Sequence, residues 1–275
     1  MSAGRHHDTT MEMNRYVYYK GMRVFSGCPH DEEEISQSAA NEILHGGGYL
    51  LRNLFDFDCS QPTSFWWVIK DGFGGMEELA SKTRNMVRRA LKTYDIQKIN
   101  ADEFRRIALP LYNAALESYR VKAAPVTAES IEKTASAPGQ EFWAVYEKSG
   151  GRAVALARCK VCGDCCDYGT LKCLPEALHN ATYPYYGLLY EMNRHYLQER
   201  GFRYVFDGTR SITGHSNIQP FLERTFRFRK AYCQLKIFYR PWMKVAVSVL
   251  YPFRKYLPLK VRSVLNLEAM RRGKM

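Results

Sequence analysis

The chain has 275 residues, 46 % of them hydrophobic and 25 % charged. That balance excludes a disordered or fibrous protein and suffices for one large domain or two small ones. Forty Lys and Arg stand against 28 Asp and Glu, a net charge of +12. The excess favours an anionic partner, meaning a phosphate-bearing co-substrate, RNA, an acidic carrier protein or an anionic membrane. Charge does not choose among them, and a basic surface with no single partner satisfies the same number. Residues 1–14 read as a flexible tail. They lack the apolar stretch of a secretory signal, and no apolar run reaches the ~20 residues of a spanning helix. The expectation is a cytoplasmic protein whose eight cysteines are reduced.

Arg15–Phe25 is rich in aromatic and β-branched residues and predicts a strand or hairpin. Asp31–Glu34 is acidic at the expected start of a helix running to about Leu44, where carboxylates complement the helix dipole. Gly46-Gly47-Gly48 ends that helix. Phe65–Lys70 (FWWVIK) is a compact strand pattern, broken by Gly72, Gly74 and Gly75. Met76–Tyr94 predicts a helix with Leu79, Met86, Val87, Ala90 and Leu91 on one side. Arg84, Arg88 and Lys92 recur every four residues on another side and form one cationic stripe. Further helices are expected over Ala101–Tyr119 and Ala128–Ala137.

In the second half, Phe142–Lys148 and Arg152–Val161 flank Ser149-Gly150-Gly151 as a hairpin. Cys166–Cys173 is another strand. Tyr185–Arg200 is an amphipathic helix that buries Leu188, Leu189, Met192 and Tyr196, and Gly201 stops it. Phe202–Asp207, a polar loop, a helix over about Ser216–Arg224 and a long strand over Phe228–Arg240 follow. Two short helical segments close the chain.

Hairpin, strand, helix, strand, helix, strand resembles the element order of the GNAT acyltransferase fold. Ser81-Lys82-Thr83-Arg84-Asn85 with Arg88-Arg89 is similar to the basic SK-x-R-x-x-(I/V)-R helix of its FemAB-like, aminoacyl-transferase-type branch. Gly201–Asp207 with Phe221–Lys230 (FLERTFRFRK) is similar to that branch's closing pattern, with Arg227 where glycine is usual. The resemblance spans residues 60–240. It implies an α/β (α+β) fold, a mixed, splayed sheet flanked by helices, with an acyl donor in the gap. It also implies an acyl- or aminoacyl-transferase moving an acyl group from a thioester or ester to an amine or hydroxyl. The expected division is a GNAT-like domain over 15–240, with an incomplete half at 15–137 and a fuller one at 138–240, and a basic helical segment over 241–275. Coenzyme A-dependent members carry Q/R-x-x-G-x-G/A before the donor helix, where backbone N–H groups hold pyrophosphate. The matching Leu174–Gly187 has no such glycines. This leaves acyl carrier protein and aminoacyl-tRNA open beside acyl-CoA as co-substrate, with no permanently bound cofactor expected.

The richest polar stretch is Asp207-Gly208-Thr209-Arg210-Ser211 with Thr213, His215, Ser216 and Asn217, at a strand end, where open sheets build sites. Asp207 and His215 are the candidate bases and Tyr186 the candidate general acid. Arg210, Asn217 and the stripe Arg84, Arg88, Lys92 are the candidate grip on an anionic substrate. The same residues also read as caps, an aromatic packing cluster and a solvated helix face. No cysteine or serine sits beside an obvious His–acid pair, so direct attack without a covalent enzyme intermediate is expected. Cys159, Cys162, Cys165, Cys166 and Cys173 have spacings that suggest a metal. They lie on a strand, tight turn and strand with Gly163-Asp164 at the tip, so sheet packing without metal is the expectation. Trp242–Phe253 is apolar on most faces and Arg254, Lys255, Lys260, Arg262, Arg271 and Arg272 follow. That suits either a helix packed on the domain or peripheral contact with the inner face of a membrane. Rival classes are a GNAT-like binding protein for RNA or an anionic membrane, and a metal-dependent redox protein. The oligomeric state is open.

Overall fold

A computed structural model describes residues 15–117, 124–212 and 218–274. It is a mixed α/β structure, a large mixed sheet flanked by helices. The chain divides into two units: residues up to Trp67 with 209–217 and 230–275, and residues 68–208 with 218–229. The division does not follow the expected boundary at 137/138. Strand pairing runs across that point, since Tyr94–Ile99 pairs with Gln140–Glu147.

In the first unit, β1 (Tyr16–Tyr19) and β2 (Met22–Phe25) form a hairpin. Lys20 and Gly21 both have positive φ, 49° and 89°, the geometry of a two-residue turn matched to strand twist. β2 runs parallel to β3 (Leu50–Phe55), and β3 antiparallel to β10 (Arg229–Tyr239). The first residues of β4 (Phe65–Lys70) lie beyond β10. Helix α1 (Gln37–His45) covers this sheet with Ala40, Ile43 and Leu44 buried. Its amino end is capped by Ser36, whose Oγ accepts from the Ala39 N–H at 3.2 Å.

No acidic residue lies in the first turn of α1, so Asp31–Glu34 does not serve the helix dipole as expected. Glu32 instead enters the core. Its carboxyl accepts from the Leu54 N–H (2.8 Å), Asn53 Nδ2 (3.2 Å) and Tyr16 Oη (3.3 Å). Burial drives its pKa up to about 7 against those hydrogen bonds. Two further helices, α8 (Pro241–Leu250) and α9 (Leu259–Arg271), close this unit, with Val247 and Tyr251 packed on Leu265 and Ala269.

In the second unit, β5 (Tyr94–Ile99), β6 (Gln140–Glu147), β7 (Ala153–Cys162) and β8 (Cys165–Cys173) run as an antiparallel meander. β9 (Tyr204–Thr209) joins β8 in parallel. Helices α2 (Ser81–Thr93), α3 (Ala101–Glu117), α4 (Ala128–Ala135), α5 (Pro175–His179), α6 (Pro184–Asn193) and α7 (Ile218–Phe226) complete the unit. As expected, Leu188, Leu189, Met192 and Tyr196 are buried, each apolar side chain contributing roughly 2–3 kcal/mol. Tyr196 lies on a wider π-type continuation of α6, Arg194–Glu199. Its hydroxyl accepts from Trp143 Nε1 (3.1 Å) and donates to Glu141 (2.8 Å), which satisfies a phenol inside the core.

Candidate active site

β8 and β9 pair over three residues only: Cys165 with Tyr204, Cys166 with Val205 and Asp167 with Phe206. β8 then stays with β7 as far as Cys173, opposite Ala155. Among the described residues the β8–β9 ladder thus ends at Asp167. The sheet opens at this point, and Asp167 and Asp207 stand where the strands part.

Both carboxyls are largely enclosed. Burial, and next the charge of Asp167, push Asp207 up to about 7, against a hydrogen bond from the Gln219 side chain. Gln219 of α7 also donates to the Asp207 carbonyl at 3.1 Å. Burial raises Asp167 to about 6, and Arg158 and Lys160 oppose the rise. A carboxyl with a pKa near 7 is populated in both protonation states at neutral pH, as proton transfer requires.

Arg158 approaches from β7, next to a register shift between Arg158 and Lys160. Its guanidinium fits over Gly169, where an added Cβ would lie 2.9 Å from Nη2. Tyr112 of α3 hydrogen-bonds with Thr170 beside the same guanidinium, and burial raises its phenol. The opening therefore holds two carboxyls, a guanidinium and a phenol.

Tyr186 lies in the first turn of α6. Its ring meets Tyr183, Phe221 and Phe226 at centroid distances of 5.6, 5.2 and 6.0 Å. The Tyr186 phenol is half-buried and its pKa is raised by that burial. Both Tyr186 and Asp207 are thus tied to α7, one through rings and the other through Gln219. The amino end of α6 is not built as an anion cradle. Pro184 has no N–H, and the Tyr186 N–H bonds to the Tyr183 carbonyl at 3.0 Å. Gly187 serves packing instead, because a Cβ there would lie 2.5 Å from Ile96 Cδ1 and 2.9 Å from Ala90 Cβ.

Arg84, Arg88 and Lys92 lie on α2. Arg84 pairs with Glu77 at 3.3 Å. Arg88 and Lys92 are exposed and make no ion pair among the described residues. Arg210 lies in the first unit. Its Nη1 donates to the Ser64 carbonyl at 2.6 Å and its guanidinium stacks 4.5 Å from the Trp66 ring centroid. It is thus held by its own unit. His215 and Asn217 lie outside the described residues, as does the 1–14 tail. Asp167, Arg158 and Tyr112 were absent from the sequence-based site. The signal available for the first two was a charged residue inside an otherwise small or apolar strand.

The cysteine strand–turn–strand has the expected form, with Cys162 opposite Cys165 across Gly163-Asp164. Cys159, Cys165, Cys166 and Cys173 are buried, and none of the chain's cysteines is bonded to another. Burial pushes the Cys166 thiol well up and Cys173 up to about 12.

No protein-family model matches the chain, and no curated protein matches it. Solved structures do. The C-terminal domain of a putative lysylphosphatidylglycerol synthetase from Agrobacterium fabrum superposes with a TM-score of 0.55 at 10 % identity, over 86 % of this chain and 82 % of that one. L-PGS from Bacillus licheniformis gives 0.53 at 10 % identity, over 94 % and 86 %. FemX gives 0.52 at 10 % identity, over 83 % of each chain. The chain therefore has a GNAT-like fold, the fold that the element order resembles.

Proposed function

We propose that the chain is an acyl- or aminoacyl-transferase working by direct attack at the opening between β8 and β9. The carrying observation is Asp207, an enclosed carboxyl with a pKa of about 7, placed where the β8–β9 ladder ends. The gap between parting strands suits the extended arm of an acyl donor, bound alongside them as an added strand. In the reaction, the acceptor nitrogen or oxygen attacks the donor carbonyl and Asp207 takes the acceptor's proton. The carbonyl carbon's bond to sulfur or oxygen then breaks, and a phenol returns a proton to the leaving group. Tyr186 is assigned that role, and Arg88 and Lys92 grip the anionic donor with Arg84. The proline-led start of α6 supports a donor other than coenzyme A, such as aminoacyl-tRNA or acyl carrier protein. One of the similar folds is named a putative lysylphosphatidylglycerol synthetase, a name that joins lysine to a lipid, and this is in keeping with an aminoacyl donor.

The test is a thermal-shift screen with acetyl-CoA, longer acyl-CoAs, acyl carrier protein and aminoacyl-tRNA, followed by transfer from whichever donor binds. A donor that raises Tm and loses its acyl group to an amine or hydroxyl supports the reading. Absence of any shift or transfer across that set sinks it. A second reading, a non-catalytic scaffold for RNA or an anionic surface, draws on the net charge of +12. It requires tight binding with no transfer from any donor.

A further inference from the structure

Helix α8 buries one apolar side and exposes another. Val247, with Tyr251 just beyond the helix, packs on Leu265 and Ala269. Trp242, Val245 and Val249 project from the opposite side to solvent, and Phe253 and Tyr256 continue the row along the following 3-10 turn. Val245 is 64 % and Val249 61 % exposed. A contiguous apolar row of this kind is uncommon on a free surface and marks a contact site.

Two further features say what covers it. First, the stretch from Arg240 to Leu267 contains six cations, Arg240, Lys244, Arg254, Lys255, Lys260 and Arg262, and no acidic residue. None of the six forms an ion pair among the described residues, and Lys244, Lys255 and Lys260 are exposed. Second, aromatic side chains extend the row sideways. Tyr49 stacks edge-on against Trp242 at 5.6 Å. The β1–β2 turn rests on Tyr49, with Gly21 so close that a Cβ would lie 3.1 Å from its ring. Tyr18 and Tyr19 of that hairpin are exposed. Aliphatic residues flanked by Tyr, Trp and cations fit the headgroup boundary of a bilayer, where ring bodies enter the acyl layer and polar tips stay wet.

We propose that this face of the first unit docks on an anionic lipid bilayer, with α8 lying in the plane of the interface. Nucleic acid fits less well, because valines offer a base nothing to stack on. A second copy of the chain fits less well too, since it would bring six more cations against the first six. No helix among the described residues is long and apolar enough to cross a membrane, so the contact is peripheral. The inference does not depend on the transfer reaction.

The test is flotation of the full chain with phosphatidylglycerol–phosphatidylcholine vesicles, with pure phosphatidylcholine vesicles, and a parallel titration with RNA. The expected result is binding to the anionic vesicles at least tenfold tighter than to the zwitterionic ones. The double variant V245E/V249E, which alters only exposed positions, loses tenfold or more with an unchanged Tm. K255E/K260E loses at least about 25-fold, from roughly fivefold per cation removed near an anionic surface. Unchanged vesicle binding by folded V245E/V249E overturns the proposal. So does RNA binding without vesicle binding, and so does a dimer in solution that V245E/V249E dissociates.

Discussion

Asp167 pairs with Phe206 in the last rung that joins β8 to β9, and Asp207 is the residue immediately past it. The two carboxyls therefore share the mouth of the opening, and the charge of one raises the other. Transfer should increase with pH through about 7 as Asp207 loses its proton. Asp207→Asn should lower the rate on the order of 10²–10⁴-fold and flatten that rise. The measurement is a rate–pH profile of both proteins with the donor found by thermal shift. A D207N enzyme with full activity removes Asp207 from the mechanism.

Glu32 provides a pH effect on folding that is separate from activity. Its folded pKa is about 7, above the ordinary 4.5. The folded state therefore holds a proton that the unfolded state has released, and stability falls as pH rises between those values. The loss is on the order of 2–3 kcal/mol by pH 8. Glu32→Gln removes this slope, although it gives up part of the acceptor set used by Leu54 and Asn53. Urea melts at pH 5 and pH 8 should show the wild type losing more stability than E32Q across that range. An equal change in both would show that Glu32 stays ionised in the core.

Gly169 gives way to Arg158. Gly169→Val should displace the guanidinium from beside Asp167 and Tyr112. With its nearest positive charge moved away, Asp167 should titrate higher still, and Asp207 would then face a neutral neighbour. The measurable consequence is a downward shift of the pH midpoint for transfer. Circular dichroism and Tm should stay close to wild type, because the site lies at the strand edge.

Gly187→Ala tests the crossing of α2, β5 and α6. A methyl group would meet Ile96 and Ala90 at distances below contact. The expected cost is about 1–3 kcal/mol, read as a lower urea midpoint at unchanged slope. Gly187→Ala as stable as wild type would show that α6 can move away freely.

Arg88→Glu with Lys92→Glu should weaken donor binding and leave Tm within about 2 °C, since both side chains are exposed. The loss should be largest at low ionic strength and fade above about 0.3 M salt. A loss indifferent to salt would assign the stripe another role.

Much of the scaffold was legible from residues. FWWVIK, the strand-or-hairpin stretch Arg15–Phe25 and the Cys162–Cys165 turn each carry side-chain types or turn chemistry that few backbones satisfy. β3 and β5 were not legible. β3 carries Arg52 and Asn53 amid leucines, and Asn53 finds its partners far away in sequence, such as Glu32. β5 (YDIQKI) sits at the end of the sheet and is mostly polar. The site was half legible. Asp207 stands out at a strand end, but Asp167 gains its meaning only from the register with Phe206, which no local pattern encodes. Arg158 hides in the same way, as one charge on a long strand.

The first unit draws on both ends of the sequence. β3 finds its partner in β10, with Leu50 opposite Tyr239 and Phe55 opposite Gln234. A ribosome adding ~5–20 residues per second delivers that partner roughly 10–40 s after β3 has emerged. For that interval one side of β3 is an open template for strange strands. The nascent chain thus passes through a window in which β3 lacks the strand it pairs with in the folded unit.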